Sequence, residues 1–388
     1  MTPRQRVAAA FAGEPTDRIP VHHIGISSCV ASELLGREAY VGGGIQQWRE
    51  ATALWNGPEA HAEFLERSYQ DAIAVSKLVG NDIIRASYWR FREKPTRKLD
   101  ENAYLFEWGA ESQWQVMRFD PPSEQCHILP YLPAGRQAGL PGREPTFEDL
   151  ERGLAAEERS ISDWQPSAPE FEVRAMREFG EEYAIRVGGG GLSIPLDGGP
   201  WFEAILLRPD LVARRLDLQV EYARKTVPLL ASLGFRYLFG GGDFASNEGP
   251  MYSPKAFHEL MLPRLQRISA ICHQHGCASL FASDGDLWPV ADDLFGASGV
   301  DGFYEIDKRA GMDLARLHQR FPKLVTIGNI SSHTVHLGTK EDVKREVEEA
   351  IEAGKRYGRT IVGISNALVP GTPIENVVAM IETVHALR

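Results

Sequence analysis

Cysteine is scarce in this sequence. The 388 residues include four cysteines, Cys29, Cys126, Cys272 and Cys277. Disulfide-stapled extracellular domains carry cysteine at a much higher density, so a disulfide framework is excluded as the basis of this fold. Sparse thiols are typical of a reducing compartment, and we expect a cytoplasmic protein.

Long apolar runs and an excess of positive charge are also missing. No stretch approaches the roughly 18 apolar residues that cross a membrane. The opening segment, MTPRQRVAAAFAGEPTDRIPV, has too short an apolar part for a signal peptide and instead predicts a helix with Thr2 as N-cap and Pro3 in the first turn. Asp and Glu number 53 against 42 Lys and Arg, a net charge of −11. This balance argues against nucleic acid and membrane surfaces as partners and leaves a small-molecule substrate.

Short apolar runs separated by helical segments are abundant. The runs span residues 18–25, 82–89, 183–191, 235–243, 277–285, 300–307, 324–331 and 360–368. Near-continuous hydrophobic strands are typical of a parallel sheet covered on both faces. Two intervening segments, SPKAFHELMLPRLQRISAICHQHG and TKEDVKREVEEAIEAGKRYG, open with a capping residue and close with Gly, as helices do. Eight such units predict an α/β fold, a (β/α)8 TIM barrel.

One region does not fit a minimal barrel. Residues 97–120 alternate between polar and apolar and predict a β-hairpin or small meander. Residues 121–165 are first rich in Pro and Gly and then acidic and helical. We interpret 97–165 as an insertion after the second strand that lies over the barrel mouth, within a single domain spanning residues 1–388.

The carboxyl ends of the strands are where such barrels carry their chemistry. The polar or flexible residues at these ends are His22, His23, Arg85, Gly188–Gly191, Asp243, Asp284, Asp286, Glu305, Asn329, Ser331 and Asn366. They are the first candidates for a functional site.

Three carboxylates stand out among them. Asp243, Asp284 and Glu305 follow three successive strands and should lie close together. Neighbouring carboxylates repel, so one must be protonated or a cation must sit between them. A divalent metal ion, a cationic substrate group or a catalytic acid would each satisfy this arrangement. The alternative is that some of them point toward helix N-termini or solvent, and Asp286 is equally suited to capping the next helix.

Histidines offer a second source of proton transfer. His22 and His23 alternate along the first strand, so only one can face the interior, as a catalytic group, a ligand or a hydrogen-bonded core residue. The stretch CHQHGC at 272–277 resembles a metal cluster. It precedes the fifth strand, however, and so belongs to the opposite end of the barrel.

Substrate binding is predicted for a wider set of residues. Gly190, within a run of four glycines, allows a ligand to approach the backbone closely. The remaining candidates are Arg85, the aromatic residues Tyr88, Trp89 and Trp108, and the polar Asn329, Ser331 and Asn366. For the aromatic residues, which also include Trp201, a place in the core is the competing interpretation.

Several segments resemble the uroporphyrinogen decarboxylase (UroD-like) superfamily. They are RQRVAAAFAGEPTDRIPV, GDFASNEGPMYSPKAFHELMLPRLQRI, VDGFYEIDKRAGMDLARLHQRF, TIGNISSHTVHLGTKEDVKREV and VPGTPIENVVAMIETV. The resemblance spans nearly the whole chain in order and is weakest between residues 121 and 180. It implies a TIM barrel, a homodimer and either decarboxylation of a porphyrinogen or methyl transfer with a corrinoid protein.

The functional motifs of the two branches are incomplete. Zinc-using methyltransferases of the superfamily have a His-x-Cys pair at the end of strand five and a Cys near the end of strand eight. The corresponding positions here are Ala282, Asp284 and Asn366, so the resemblance implies no zinc–thiolate site. The decarboxylase's Arg-Gln-Ala-Gly-Arg run is absent from the segment after strand one, and Asn366 stands where the decarboxylase has a His.

The segment LDENAYLFEWGAE resembles the branch that contains corrinoid-linked O-demethylases. We therefore expect a methyltransferase that moves a methyl group from a small O- or N-methylated compound to a corrinoid protein. The alternatives are decarboxylation of an acidic tetrapyrrole, which an arginine-rich pocket would favour, and a barrel that only binds a ligand.

Overall fold

The apolar runs of the sequence coincide with strands in a computed structural model, which describes residues 1–108, 113–129, 146–196 and 199–388. Its strands are β1 Ile83–Ile84, β2 Arg97–Asp100, β3 Ala103–Trp108, β4 Gln113–Asp120, β5 Gln125–Leu129, β6 Ala184–Ile185, β7 Val187–Gly188, β8 Tyr237–Phe239, β9 Ala245–Ser246, β10 Gly249–Pro250, β11 Ala278–Ala282, β12 Gly302–Tyr304, β13 Val325–Ile327 and β14 Thr360–Ile361. Each of the last seven predicted runs contains a strand. The first run contributes Val21, which forms a bridge to Val362.

Parallel pairing dominates the sheet topology. The strands β14, β13, β12, β11, β8 and β7 form one sheet in that order, and β1 pairs with β6. Only Arg186 separates β6 from β7. The segment at Val21 bonds on both sides, because Val362 N donates to Pro20 O at 2.8 Å and Asp82 N donates to Val21 O at 2.7 Å. The α/β class with parallel strands is thereby confirmed, and the carboxyl ends of these strands lie on one side of the molecule.

The helices that connect the strands are α1 Pro3–Ala12, α2 Ser28–Leu35, α3 Gly44–Asn56, α4 Pro58–Leu78, α5 Phe147–Ser160, α6 Glu170–Phe179, α7 Pro200–Leu207, α8 Pro209–Ser232, α9 Pro254–Ala256, α10 Leu262–Gln274, α11 Leu314–Arg320, α12 Ser332–Leu337, α13 Lys340–Tyr357 and α14 Ile374–Leu387. The predicted start of α1 is confirmed, since Thr2 and Gln5 form a reciprocal capping box. Thr339 and Asp342 do the same for α13. In the described ranges, no helix has the length and apolar character needed to cross a bilayer.

Both faces of the parallel sheet are buried. Phe303 of β12 packs against Phe295 on the helical side, with ring centroids 4.7 Å apart. The next residue, Tyr304, faces the other way, where its hydroxyl donates to Gly240 O at 2.6 Å and its ring lies 5.0 Å from Phe239. Alternation of this kind explains why the strands read as continuous apolar runs.

A four-stranded antiparallel sheet, β2 to β5, occupies the predicted hairpin region and extends it to Leu129. It packs on α3, where the Trp48 ring stacks on Phe119 at 5.6 Å and contacts Tyr104 at 4.7 Å. Gly44 of α3 is required at this contact, because a Cβ there would lie 2.4 Å from Cys126 N. That the sheet and the parallel strands form a single domain stays a prediction.

Candidate functional site

A cavity of about 180 Å³ opens where the carboxyl ends of the strands meet. Its lining residues are Ile24, Gly25, Ile26, Ser27, Gly42, Gly43, Arg85, Tyr88, Trp89, Glu124, Gln125, Arg186, Glu305, Asn366, Ala367, Leu368, Val369 and Pro370. Five of the residues proposed from the sequence lie here: Arg85, Tyr88, Trp89, Glu305 and Asn366. Trp89 is 58% exposed and forms part of the rim.

Asp284 is tied to the wall of this cavity. Its Oδ2 accepts a hydrogen bond from Asn366 Nδ2 at 2.6 Å, and its backbone N–H donates to Asp243 Oδ1 at 3.0 Å. Burial raises the pKa of Asp284 to about 7, and repulsion from Asp243 and Glu305 acts in the same direction. A carboxyl group with this pKa is able to donate or accept a proton near neutral pH.

Glu305 enters the cavity from an unusual backbone conformation. It follows β12 with φ 65°, in the left-handed region that residues other than Gly rarely adopt. Burial raises the pKa of its carboxyl group; Arg186 and Arg85 oppose this change, and Asp243 reinforces it. Glu305 is therefore a second group whose protonation depends on its surroundings.

Arg186 is a cavity residue that the sequence analysis did not select. Its guanidinium carbon lies 4.7 Å from the Phe239 ring centroid and 5.3 Å from that of Tyr304. Its Nη1 lies 3.4 Å from His22 Nε2 and donates to Ile24 O at 3.4 Å. The available signal was a single charge, Arg186, inside the apolar run YAIRV, two positions before the first of the four glycines.

Arg85 lies beside it. The two guanidinium groups share an acceptor, since Arg85 Nη1 also donates to Ile24 O, while Arg85 Nε donates to Ser87 O at 3.0 Å. Its guanidinium carbon lies 4.3 Å from the Tyr88 ring centroid. Burial lowers the pKa of Arg85 to about 10, and the charge of Arg186 adds to this effect.

The two histidines have different surroundings, as their alternation requires. His22 is fully buried, with Nδ1 3.0 Å from Ile83 O and Nε2 toward Arg186. Burial and the two arginines hold the pKa of His22 well below its ordinary value, so its ring is neutral and Nε2 accepts from Arg186. This corrects its predicted role as a catalytic acid, because a neutral ring that already bonds at both nitrogens has no proton to give the cavity.

His23 is not brought to the cavity. Its ring nitrogens are buried without a hydrogen-bond partner, and burial lowers its pKa to about 3, with His385 and Arg388 adding to the effect. Those two residues belong to α14 and its C-terminal end, on the outer layer of helices. The prediction of a catalytic His23 is therefore wrong for this structure, because its side chain faces the helical layer.

The predicted metal site is also corrected. No three His, Cys, Asp or Glu side chains converge to hold a metal ion in the part of the chain that the structure describes. The Asp284 carboxylate accepts a hydrogen bond from the Asn366 amide, and the positive charges of Arg186 and Arg85 act on Glu305.

Other residues that the sequence proposed for the site have local contacts in the fold. Ser331 is the N-cap of α12 and accepts from Thr334 N, and Asp286 accepts from Trp288 N at 2.9 Å. A side chain at Gly190 would meet Ile268 at 3.0 Å, so its open side faces α10 and not the cavity. Asn329 has φ 97° and a buried Oδ1 without a hydrogen-bond partner. The side chain of Trp108 lies outside the described residues.

Comparison with known proteins shows a family likeness in the C-terminal part of the chain. Residues 243–387 match the model of the family described as uroporphyrinogen decarboxylase (URO-D). The predicted resemblance to the uroporphyrinogen decarboxylase superfamily is confirmed. A uroporphyrinogen decarboxylase from Anaeromyxobacter sp. (strain Fw109-5) is 33% identical over 131 residues, which is 33% of this chain; the match spans about a third (35%) of that relative's length.

A solved structure extends the likeness over the full length. A methyltransferase from Methanosarcina mazei has 20% identity and a TM-score of 0.61, covering 100% of this chain and 99% of its own. At this identity the likeness shows a shared fold. The structural likeness thus extends over the whole chain, while the match to the family model covers residues 243–387.

The positions that the resemblance assigns to zinc ligands can be located in this structure. Ala282 ends β11, and the Asp284 and Asn366 side chains are in contact. Two of the three positions are therefore neighbours, as a shared metal site needs. Their side chains, however, are the methyl group of Ala282, the carboxylate of Asp284 and the amide of Asn366. These groups do not fit a soft zinc–thiolate centre.

The antiparallel sheet supplies a further residue that sequence reasoning missed. Glu124 is 8% exposed, and its two carboxylate oxygens accept from Ser28 N at 2.8 Å and Cys29 N at 2.9 Å. It therefore caps the N-terminus of α2 from a point 95 residues or more away along the chain. No local sequence pattern reveals such a distant cap.

Replacing Glu124 by Ala should destabilise the protein. Two buried N–H groups would lose their acceptor, and the cost of a lost N-cap is about 1–2 kcal/mol. Urea denaturation monitored by circular dichroism measures the change. Glu107→Ala, at an exposed position of the same sheet, is the control and should change stability by less than about 0.5 kcal/mol. Equal stability of both variants would contradict the capping role.

Proposed function

We propose that this protein is a methyltransferase-like enzyme that moves a methyl group from a small O- or N-methylated compound to a corrinoid protein. The observation that carries the proposal is Asp284. It has a pKa of about 7, and its partner Asn366 lines the cavity at the strand ends. A methyl ether is a poor electrophile, because its leaving oxygen must be protonated or bound to a Lewis acid. A carboxylic acid at this position meets that need.

The proposed reaction breaks one bond and forms another. The carbon–oxygen bond of the donor breaks, and the methyl group passes to the cobalt of the corrinoid that the partner carries. The leaving oxygen keeps the bonding electrons and takes the proton of Asp284. Asn366 holds the resulting carboxylate through its 2.6 Å hydrogen bond, and Asp243 raises the tendency of Asp284 to regain a proton from water.

We also infer that the parallel strands close into a (β/α)8 barrel whose mouth holds the cavity. The bridges Val21–Val362 and Ile26–Leu368, together with the Asp82–Val21 hydrogen bond, support the closure. The fold shared with the Methanosarcina mazei methyltransferase agrees with it. Docking of a corrinoid partner at the mouth, and assembly as a homodimer, stay proposals.

Decarboxylation of an acidic tetrapyrrole is the second candidate. Arg85 and Arg186 favour it, because arginine holds carboxylates. The size of the cavity argues against it: about 180 Å³ is small beside the roughly 300–1,000 Å³ of typical ligand pockets. An octa-acidic ring would also need more cations than these two, and the nearby Arg90 is paired with Glu50.

A methyl-transfer assay tests the proposal. The purified protein is incubated with free cob(I)alamin and a panel of small methyl ethers and methylamines, and methylcobalamin is followed by its absorbance. We expect enzyme-dependent methylcobalamin and an equal amount of demethylated product from at least one methyl ether. Heat-denatured protein is the control. Carbon dioxide release from uroporphyrinogen, without any methyl transfer, would favour the second candidate and overturn the first.

A further inference from the structure

The cavity contains two guanidinium groups without a carboxylate partner. Within the described residues, neither Arg85 nor Arg186 has a carboxylate oxygen within 4.0 Å. Other shielded arginines of the chain are paired: Arg6 with Asp82, Arg49 with Glu38 and Arg90 with Glu50. The cavity arginines therefore differ from these three paired arginines.

Their positions leave donors free for a ligand. A guanidinium has five N–H donors in a planar fork. Arg186 is held by the faces of Phe239 and Tyr304, and among the described residues it bonds, at 3.4 Å, only to His22 Nε2 and Ile24 O. Both arginines line the cavity. Aromatic faces and a neutral imidazole fix the direction of the Arg186 fork without neutralising its charge.

The positive charge of the two arginines is only partly balanced by the carboxylates of the cavity. Glu305 is the carboxylate that interacts with both arginines, and it is one group against two. Glu124, the other acid in the cavity wall, already accepts from Ser28 N and Cys29 N. Glu305 relieves only part of the repulsion between the two guanidiniums, and a carboxylate bound across the two forks would relieve the rest with paired hydrogen bonds.

We infer that Arg186 and Arg85 form an anion subsite, and that the substrate of this cavity is a small molecule carrying a carboxylate. The identification of that molecule as the methyl donor rests on the proposed function. A carboxylate anchored at the arginines leaves the rest of the molecule against Tyr88 and Trp89, with Asn366 and its partner Asp284 on the same cavity wall. His22 acts as a positioning residue through Arg186.

Isothermal titration calorimetry with matched acids and amides tests the subsite without requiring turnover. The probes are 4-methoxybenzoate and 4-methoxybenzamide, a smaller pair, methoxyacetate and methoxyacetamide, and inorganic phosphate. We expect at least one acid to bind about 10- to 100-fold more tightly than its amide, the range of a hydrogen bond to a charged group. Phosphate should bind more weakly than that acid.

Substitutions of the two arginines test whether they cause the preference for the acid over the amide. Arg186→Gln should abolish the preference for the acid while changing the Kd of the amide less than about threefold, which shows that the cavity is intact. Arg85→Gln should reduce the same preference. Arg177→Gln, whose side chain is 76% exposed on α6, is the matched control and should behave as wild type. Equal affinity for acid and amide in the wild type, binding of neither acid, or tighter binding of phosphate would each overturn the inference.

The outcomes separate this inference from the proposed function. If an amide is demethylated as fast as its acid, methyl transfer stands and the carboxylate subsite fails. If an acid binds selectively through Arg186 but no donor yields methylcobalamin, the subsite stands and the proposed reaction fails.

Discussion

Asp284→Asn should slow methyl transfer by about 10²- to 10⁴-fold, the usual contribution of a positioned general acid. Asparagine has the same shape and can still meet Asn366, but it has no proton to give the leaving oxygen. Asp284→Ala should lose activity to a similar extent with the fold intact. Initial rates with cob(I)alamin and the best donor measure the effect, and circular dichroism checks the fold.

The control lies two residues away in the same turn. Asp286 accepts from Trp288 N at 2.9 Å, and an asparagine there can accept the same hydrogen bond. Asp286→Asn should therefore retain wild-type activity. Full activity in Asp284→Asn would remove Asp284 from the mechanism.

The pH dependence of the methyl-transfer rate tests the same role of Asp284, and its direction follows from the pKa of that residue. Asp284 works in its protonated form and has a pKa of about 7. The rate should be highest below pH 7 and should fall as pH rises through that value. In Asp284→Asn the residual rate should lose this dependence. An unchanged profile in the variant would assign the titration to another group, such as Glu305, whose pKa is also raised by burial.

Gly363→Ala should destabilise the protein strongly, although it adds only one methyl group. A Cβ at residue 363 would lie 1.9 Å from His22 O, a backbone atom that cannot rotate away. The flanking contact is the hydrogen bond from His22 N to Val362 O at 2.9 Å, which joins the first and last strand segments. Overpacking costs about 1–3 kcal/mol, and a clash with backbone should reach the upper end of that range.

Gly153→Ala is the matched control for this substitution. Gly153 lies inside α5, and a Cβ there would meet no atom within 4 Å. Alanine at this position should stabilise the helix by about 0.5–1 kcal/mol. Urea denaturation of both variants should therefore give changes of opposite sign. Equal stability of the two variants would show that the strand junction tolerates a side chain.

The sequence predicted the strands well because six of the eight apolar runs end in glycine or a polar residue. The run CASLFASDG contains β11, and its Asp284 lies at the strand end as expected. Asn366, chosen only for its place after the last strand, turned out to contact Asp284. Order along parallel strands is enough for such predictions, since their carboxyl ends share one side.

The sequence did not predict the directions of individual side chains or their neighbours in the folded chain. Alternation showed that one of His22 and His23 faces inward but not which. Three carboxylates at adjacent strand ends suggested a metal, because the pattern did not show that the charge of Arg186, between β6 and β7, would act on Glu305. Arg186 itself is flanked by Phe239 and Tyr304, which are 53 or more positions later in the chain. Contacts of that kind arise only after the strands assemble.

The left-handed backbone at Glu305 sets stability against function at a single position. For a residue with a Cβ, a φ of 65° costs roughly 1 kcal/mol of stability, whereas glycine adopts this conformation freely. A stabilisation programme guided by backbone energetics would select glycine at 305. That choice would remove the carboxyl group that faces the two cavity arginines. Thermal robustness is therefore a misleading criterion at this residue, and libraries intended to preserve the site should leave Glu305 fixed.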